Sequence, residues 1–166
     1  HESTRRQRQM CIRDRNEPVK EIVNLKQIIE AEIGFLSEEN KKRVNFESAD
    51  IDFLIDPDDF SMIVRNLLRN ACNYSEQNEK IIINLLIDNS EVILSVLDKG
   101  RGISISDQKR IFERFYRVDK GRSRALGGTG IGLSLVKHAV ERNNGDIQLE
   151  SKLGEGSEFI VKFFKT

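Results

Sequence analysis

The chain has 166 residues, of which 38% are hydrophobic and 33% charged, with 27 basic and 27 acidic side chains. This length supports one hydrophobic core of ordinary size, and the balanced charge excludes a strong global field for nucleic acid or a membrane surface. Cys11 and Cys72 are too few for a disulfide framework and lack the paired spacing of a zinc site. No apolar run approaches the roughly 20 residues that span a bilayer. We therefore expect one soluble, cytoplasmic domain.

The first fifteen residues differ from the rest of the chain. Their arginines, from Arg5 to Arg15, outnumber Glu2 and Asp14, and they show no hydrophobic period. The run over residues 6–15 resembles translated adapter sequence at the ends of genes assembled from environmental DNA; a frayed basic helix end is the alternative. We expect residues 1–15 to be a non-native or disordered extension and residues 16–166 to form the domain.

A short strand and an amphipathic helix are the first predicted elements. The strand covers residues 21–23, and Asn24 with Gln27 three residues later has the spacing of a helix N-cap. The apolar residues that follow at helical intervals are Leu25, Ile28, Ile29, Ile33 and Leu36.

Two further strands and a second helix come next. Residues 44–47 and 53–55 alternate in polarity as strands do, and Asp56 with Pro57 supplies the cap and first turn of a helix. The apolar positions of this helix are Phe60, Ile63, Val64, Leu67, Leu68 and Ala71.

The second half of the chain predicts two hairpins and a third helix. Residues 81–87 and 91–97 are rich in aliphatic side chains and flank a short turn, which predicts an antiparallel hairpin. A helix should follow Gly132 and stop at Gly145, and a last hairpin should turn at residues 154–156. The predicted fold is an α/β, or α+β, two-layer sandwich with about three helices on one face of a mixed, mostly antiparallel sheet.

Three asparagines share one face of the second helix. Asn66, Asn70 and Asn73 recur at helical spacing, opposite the apolar positions. Asparagine is a poor helix former, so three on one stripe indicate a role, and the amide carbonyl is a hard oxygen suited to Mg²⁺. A solvated polar face is the alternative.

Three glycine-rich or aromatic motifs follow this helix in order. They are Asp98-Lys-Gly100-Arg-Gly102-Ile103, then Phe112-Glu-Arg-Phe115-Tyr116-Arg117, then Gly127-Gly128-Thr129-Gly130-Ile131-Gly132-Leu133. With residues 66–74, this order resembles the N, G1, F and G2 boxes of the ATP-binding catalytic domain of bacterial sensor histidine kinases, within the superfamily of the gyrase, Hsp90 and MutL ATPases. The resemblance covers residues 16–166 and implies a Bergerat-type ATP-binding fold.

The resemblance implies that the N box binds Mg²⁺ and adenine. It implies that Asn70 is the magnesium ligand, that Asn66 supports it, and that Tyr74 packs against the base; an ordinary half-buried tyrosine is the alternative for Tyr74. The family often has Lys or Arg at the Asn73 position, so a weaker phosphate contact is expected here.

In the G1 box, the resemblance implies that Asp98 accepts the adenine N6 amine. Guanine would present a carbonyl and leave the acid unpaired, which is costly in a dry pocket. Gly100 and Gly102 would let the backbone run close to the base, and Ile103 completes the nucleotide-binding set of this box. Without the neighbouring boxes, Asp-x-Gly-x-Gly would be an ordinary turn motif.

The stretch from residue 114 to residue 128 has no apolar period and several basic side chains, which predicts a lid. The resemblance implies that Tyr116 and Arg117 lie near the terminal phosphate, with Phe112 and Phe115 as hydrophobic anchors; solvation is the alternative for the other basic residues. Free amides at a helix start favour an anion. The residues expected to hold the phosphates there are Gly128, Thr129, Gly130, Ile131, Gly132 and Leu133.

The residue at position 66 distinguishes phosphoryl transfer from ATP hydrolysis. The ATP-hydrolysing members of the superfamily carry a glutamate there, whereas the Asn66 amide cannot activate water. The resemblance therefore implies a kinase in two-component signalling, with Asn66 and Arg117 as catalytic residues and ATP and Mg²⁺ as cofactors. Neither His1 nor His138 lies in the family's acceptor motif.

The expected partner is consequently a separate dimerisation domain that carries the phosphoacceptor histidine, and indirectly a response regulator. No nucleic acid and no membrane contact by this segment are expected, although the parent protein of such a domain is often anchored in the inner membrane. Two alternatives remain open: a nucleotide-binding module without catalysis, to which the missing cation at Asn73 points, and an anti-sigma-type serine kinase, which the F box disfavours.

Overall fold

The computed structural model describes residues 17–118 and 132–165. Within these residues the chain forms two sheets of unequal size and three long helices. In the small sheet, β1 (Glu21–Asn24) pairs antiparallel with β3 (Asp52–Ile55). The helix α1 (Leu25–Gly34) follows β1 directly, and the Asn24 side chain caps it by accepting the Gln27 N–H at 3.1 Å. The predicted strand, cap and helix are thus confirmed.

The large sheet has five strands in the order β2 (Val44–Phe46), β4 (Ile81–Asp88), β5 (Glu91–Asp98), β7 (Gly156–Phe164) and β6 (Gly145–Lys152). All of its pairings are antiparallel except that of β2 with β4. The predicted mixed, mostly antiparallel sheet is confirmed. The sequence had not indicated that β2 and β3 belong to different sheets, because strand pairing across such distances leaves no local signal.

The central helix, α3 (Pro57–Tyr74), begins where the sequence predicts. The Asp56 carboxylate accepts the N–H groups of Asp58 and Asp59 at 3.0 and 3.2 Å, which satisfies two donors of the first turn. The predicted apolar face is buried, and it comprises Phe60, Ile63, Val64, Leu67, Leu68 and Ala71.

The helices cover one face of the large sheet. Both α1 and α5 (Gly132–Arg142) pack against α3, and α3 packs on β5. Phe60 of α3 meets Phe163 of β7 edge to face, with ring centroids 6.2 Å apart. Complete burial of each such side chain contributes about 1.5–3 kcal/mol. Two short helices, α2 (Glu38–Lys41) and α4 (Ile105–Gln108), complete the described elements.

The turns show one departure from expectation. The β4–β5 hairpin turns through Asn89 and Ser90, both with positive φ (45° and 71°), as a two-residue hairpin requires. The end of α5 is different, because the left-handed residue there is Asn144 (φ 59°) and not Gly145. Gly145 instead begins β6, where an added Cβ would lie 2.7 Å from the Lys162 carbonyl oxygen. The predicted glycine stop is therefore an asparagine stop.

Candidate functional site

The three asparagines of α3 lie on one half-buried face. Asn66, Asn70 and Asn73 are each partly covered, while Arg65 and Arg69 beside them are exposed to solvent. The buried apolar residues occupy the opposite side of the helix. The asparagine face is therefore neither core nor fully solvated surface, which fits the wall of a cleft better than the alternative of a solvated stripe.

Asn66 meets the start of α5. Its side-chain N–H donates to the Met62 carbonyl oxygen at 2.8 Å, which fixes the orientation of the amide. A Cβ added to Gly132 would lie 2.8 Å from Asn66 Oδ1. A side chain on the first residue of α5 would therefore displace the Asn66 amide, and the contact joins the N box to the end of the G2 box.

The other end of α3 meets the loop after β5. A Cβ added to Gly100 would lie 2.1 Å from the Tyr74 carbonyl oxygen, so the two backbones are in direct contact. The Tyr74 ring is half-buried, and the Arg101 guanidinium lies 5.4 Å from its centroid, within the range of a cation–π contact. The residues that the resemblance assigned to the base are thus neighbours in space.

Asp98 is the last residue of β5 and not, as expected, the first residue after the strand. Only 7% of its surface is exposed, and its Oδ1 accepts the Gly100 N–H at 2.9 Å. Burial raises the pKa of the Asp98 carboxyl, while hydrogen bonds from the backbone N–H groups of Gly100 and Ser157 and the charge of Arg43 act in the opposite direction. The result is a buried acceptor beside the Gly100–Tyr74 contact.

The loop that contains Gly102 and Ile103 is fastened to β6. Gly102 has a φ of +74°, and a Cβ there would lie 2.1 Å from the Lys152 carbonyl oxygen. The Ile103 N–H donates to Ser151 Oγ at 2.8 Å, and Gln108 Nε2 donates to the Ile103 carbonyl oxygen at 2.7 Å. The loop path after Asp98 is therefore fixed by side chains from two other elements.

The sequence had not indicated several of the residues that hold this loop in place. Ser151 Oγ donates to the Gly156 carbonyl oxygen at 2.8 Å and lies 2.8 Å from Ser157 Oγ. Gly156, expected only as a turn residue, has a φ of +106°, and a Cβ there would lie 2.1 Å from the Asp98 carbonyl oxygen. The available signal was that Ser151 and Ser157 are polar at inward positions of alternating strands.

A tyrosine of the F box is hydrogen-bonded to a carboxylate that precedes the box. The Tyr116 hydroxyl donates to Asp107 Oδ1, and the Arg110 guanidinium lies 4.6 Å from the Tyr116 ring centroid. The hydrogen bond from Tyr116 is the largest cause that lowers the pKa of Asp107, and the same bond raises the pKa of Tyr116. Tyr116 is thus held to the chain segment around α4, and Arg117, half-buried, follows it directly.

The two phenylalanines of the F box differ. Phe112 packs edge to face on Phe159 of β7, with ring centroids 6.3 Å apart, so it is the anchor that the motif suggests. Phe115 has a φ of 66° and is 64% exposed, so it does not anchor the loop in the core as the sequence had suggested. Arg114 lies above that ring at 5.7 Å.

The glycine box is only partly within the described residues. Gly128, Thr129, Gly130 and Ile131 lie outside them, as do the other basic residues of the expected lid beyond residue 118. Gly132 opens α5, and Leu133 packs against the core. No helix in the ranges 17–118 and 132–165 has the length and apolar character to cross a membrane.

The chain matches a protein family and curated relatives in sequence. Residues 55–166 match the family described as histidine kinase-, DNA gyrase B- and HSP90-like ATPases. The sensor-like histidine kinase SenX3 of Mycolicibacterium smegmatis is 47% identical over 98 residues, covering 59% of this chain and 26% of SenX3. The histidine kinase ArlS of Staphylococcus aureus is 36% identical over 116 residues, covering 70% of this chain and 26% of ArlS.

Solved structures match the fold over most of the chain. The catalytic domain of histidine kinase ThkA, in a nucleotide-free form, superposes with a TM-score of 0.76 at 25% identity, covering 89% of this chain and 97% of that one. The mycobacterial sensor histidine kinase MprB gives a TM-score of 0.72 at 23% identity, covering 88% and 97%. The chain spans about a quarter of the length of the curated relatives it matches.

Proposed function

This chain belongs to the histidine kinase-, DNA gyrase B- and HSP90-like ATPase family, and we propose that it binds ATP with Mg²⁺ and transfers the γ-phosphoryl group to a histidine on a separate dimerisation domain. The observation that carries the proposal is the meeting of the motifs in space. Gly132 contacts Asn66 at one end of the asparagine face, and Gly100 contacts Tyr74 at the other. Family membership implies ATP as the nucleotide.

In this proposal Asp98 selects the base. A buried carboxylate with two backbone donors still has capacity to accept a further hydrogen bond, and the adenine amine would supply it. Tyr74, Gly100, Gly102 and Ile103 would line the base, since Gly100 contacts both Tyr74 and the Asp98 carboxylate, and Gly102 and Ile103 continue the same loop.

The magnesium site is proposed at the asparagine face. Its donors are neutral amide oxygens, which suit an ion that keeps waters and takes phosphate oxygens, and Asn70 lies between Asn66 and Asn73 on that face. Mg²⁺, when bound, would offset the negative charge of the phosphates. Asn70 would be the protein ligand, Asn66 would support it, and Asn73 would contact the nucleotide without a charge of its own.

Phosphoryl transfer is favoured over hydrolysis because Asn66 lacks basicity and its amide N–H is engaged by Met62. We assign the phosphates to the start of α5, with Gly128, Thr129, Gly130, Ile131, Gly132 and Leu133 as their binding segment. Tyr116 and Arg117 would approach the terminal phosphate, and Arg117 would act on the charge that develops there.

The acceptor is proposed to lie on a dimerisation domain of the same kinase, with a response regulator as the next recipient. The curated relatives named above are sensor kinases about four times the length of the matched region, which supports further domains in the parent protein. We propose residues 16–166 as the catalytic domain, residues 1–15 as an extension outside it, and a membrane-anchored parent that presents this domain to the cytoplasm. The relatives' names favour neither a non-catalytic module nor a serine kinase.

The testing experiment has two steps. Calorimetric titration of the chain with a non-hydrolysable ATP analogue and its GTP counterpart, each with and without Mg²⁺, should show adenine-selective, magnesium-dependent binding. Incubation with ATP and an isolated histidine-containing dimerisation domain should then yield phosphate that is labile to acid. Acid-stable phosphate, or no nucleotide binding by a folded sample, would contradict the proposal.

A further inference from the structure

Arg43 is a buried cation outside all of the motifs described above. It precedes β2 and is only 5% exposed. Within the described part of the chain its guanidinium donates five hydrogen bonds, and an arginine has five N–H donors. The acceptors are Asn40 Oδ1 (2.9 Å), the carbonyl oxygens of Cys72 (3.3 Å), Glu76 (2.7 Å) and Glu79 (3.0 Å), and Ser75 Oγ.

Four of these five acceptors lie in the last turn of α3, at its C-cap or in the loop just after it. The last carbonyl groups of a helix have no partner within it and carry partial negative charge. The last turn of α3, residues 71–74, has no basic side chain, and Ser75 ends the helix in an extended conformation. Arg43 therefore supplies, from a distant part of the sequence, the cation and donors that this helix end lacks.

The same helix end forms the adenine side of the candidate site. It carries Asn73 and Tyr74, and the Tyr74 carbonyl oxygen is the atom against which Gly100 packs. The Arg43 backbone is also joined to the Asp98 region, since its carbonyl oxygen accepts the Ile81 N–H at 2.9 Å and Ile81 pairs with Asp98 across β4 and β5.

We infer that Arg43 is a positioning residue for base recognition: it holds the last turn of α3 where Tyr74 and the loop after Asp98 need it. This inference rests on the proposed function, because it assumes that the base binds between these elements. The Arg43 charge also favours the ionised form of the Asp98 carboxyl, which is the form that accepts the adenine amine. Asn66 lies about 12 Å from Tyr74 along the helix, and its side chain is held in place separately by its hydrogen bond to the Met62 carbonyl oxygen.

The test separates base binding from general stability. Arg43→Met keeps an unbranched stem but removes all five donors, and Arg43→Lys keeps the charge. Arg65→Met is the matched control, because Arg65 of the same helix makes a two-point contact with the buried Glu32 of α1, at 3.2 and 3.0 Å, and is not among the residues assigned to the site. Each variant of the 166-residue chain is titrated with a non-hydrolysable ATP analogue, with and without Mg²⁺, and unfolded in urea.

Arg43→Met should weaken analogue affinity about tenfold, the effect expected when the last turn of α3 keeps its binding position in about a tenth of the molecules. The ratio of affinities with and without Mg²⁺ should stay within about twofold of that of the unaltered chain, because the phosphate end of the site keeps its supports. The analogue affinity of Arg43→Lys should lie between those of Arg43→Met and the unaltered chain. Arg65→Met should lose stability and keep its affinity.

Unchanged analogue affinity in Arg43→Met would overturn the inference, as would an equal affinity loss in Arg65→Met at equal stability. If the unaltered chain itself did not bind the analogue, the proposed function would fail, and the inference with it. If Arg43→Met does not fold, Ser75→Ala carries the test: it removes one acceptor of Arg43 and should lower affinity in the same direction with the Mg²⁺ ratio retained. Unchanged affinity in Ser75→Ala would then overturn the inference.

Discussion

The backbone of Gly100 rests on the carbonyl oxygen of Tyr74, so closely that a Cβ at residue 100 would lie 2.1 Å from that oxygen. The end of α3 and the loop after β5 can therefore approach each other this closely only because residue 100 has no side chain. Gly100→Ala should force one backbone away from the other and weaken binding of an ATP analogue at least about tenfold. Gly34→Ala is the control, since nothing lies within 4 Å of a Cβ there; equal affinities by calorimetry would contradict the prediction.

Asp98 and Asp107 should titrate with opposite effects on stability. Burial raises the pKa of Asp98, so between its unfolded and folded pKa values the folded chain binds more protons, and the free energy of unfolding falls as pH rises through that window. Hydrogen bonds lower the pKa of Asp107, so its contribution is present above the ordinary carboxyl pKa of about 3.9 and is lost as pH falls through the folded value.

Urea unfolding over a pH series checks these signs. Relative to Asp98→Asn, the unaltered chain should lose stability as pH rises from about 3.9. Relative to Asp107→Asn, it should gain stability as pH rises over the region below about 3.9. Slopes of the same sign in the two comparisons would be inconsistent with the burial and bonding of these carboxylates.

Asn70→Ala should act through magnesium. If its amide oxygen is a ligand of Mg²⁺, the variant should lose most of the affinity gained on adding the metal and little of the metal-free affinity. Arg69→Ala, one residue away on the exposed side of α3, should keep both. An equal loss in the presence and absence of Mg²⁺ would remove Asn70 from the ligand set.

Gly132→Ala should separate stability from function. Alanine is the better helix former, so the free energy of unfolding should stay level or rise by up to about 1 kcal/mol. The new Cβ would nevertheless displace the Asn66 amide, whose Oδ1 would be 2.8 Å away, and phosphoryl transfer should fall. In an Asn66→Ala background the same change should lower phosphoryl transfer far less, and a double-mutant cycle measures this coupling. Strictly additive losses of transfer rate would exclude a coupling between the two residues.

Arg117→Ala should lower the rate of phosphoryl transfer more than it lowers nucleotide affinity. A cation that acts on charge developing at the terminal phosphate stabilises the transition state more than the bound ground state. Single-turnover transfer to the dimerisation domain and calorimetric affinity are compared, with the exposed Arg114→Ala as the control. A loss confined to affinity would assign Arg117 to binding alone.

The sequence predicted the elements well because their signals are local. Asn24 and Asp56 cap the helices that they were expected to cap, and the alternating residues of β4 and β5 form the predicted hairpin. What it could not predict depends on partners that are distant in sequence. Nothing near Arg43 indicates that four of its five acceptors lie between residues 72 and 79.

The candidate site divides in the same way. The motif residues Asn66, Tyr74, Asp98 and Gly100 could be selected because type and spacing carry information, whereas the supporting Ser151 and Ser157 look like ordinary strand serines until β6 and β7 are paired. Their role follows from which face of the sheet they occupy. The functional roles of the motif residues, like the assignments at residues 128–131, stay predictions.

The parallel pairing of β2 with β4 also affects how the site is assembled. Parallel strands are joined by a crossover, and here the crossover contains the whole of α3. The edge strand β2 therefore reaches its neighbour only when α3 is laid across the sheet, the same movement that carries the asparagine face into position. We therefore expect closure of the sheet and formation of the nucleotide pocket to be coupled, because a chain that has formed only the β4–β5 and β6–β7 hairpins has not yet placed α3 over them.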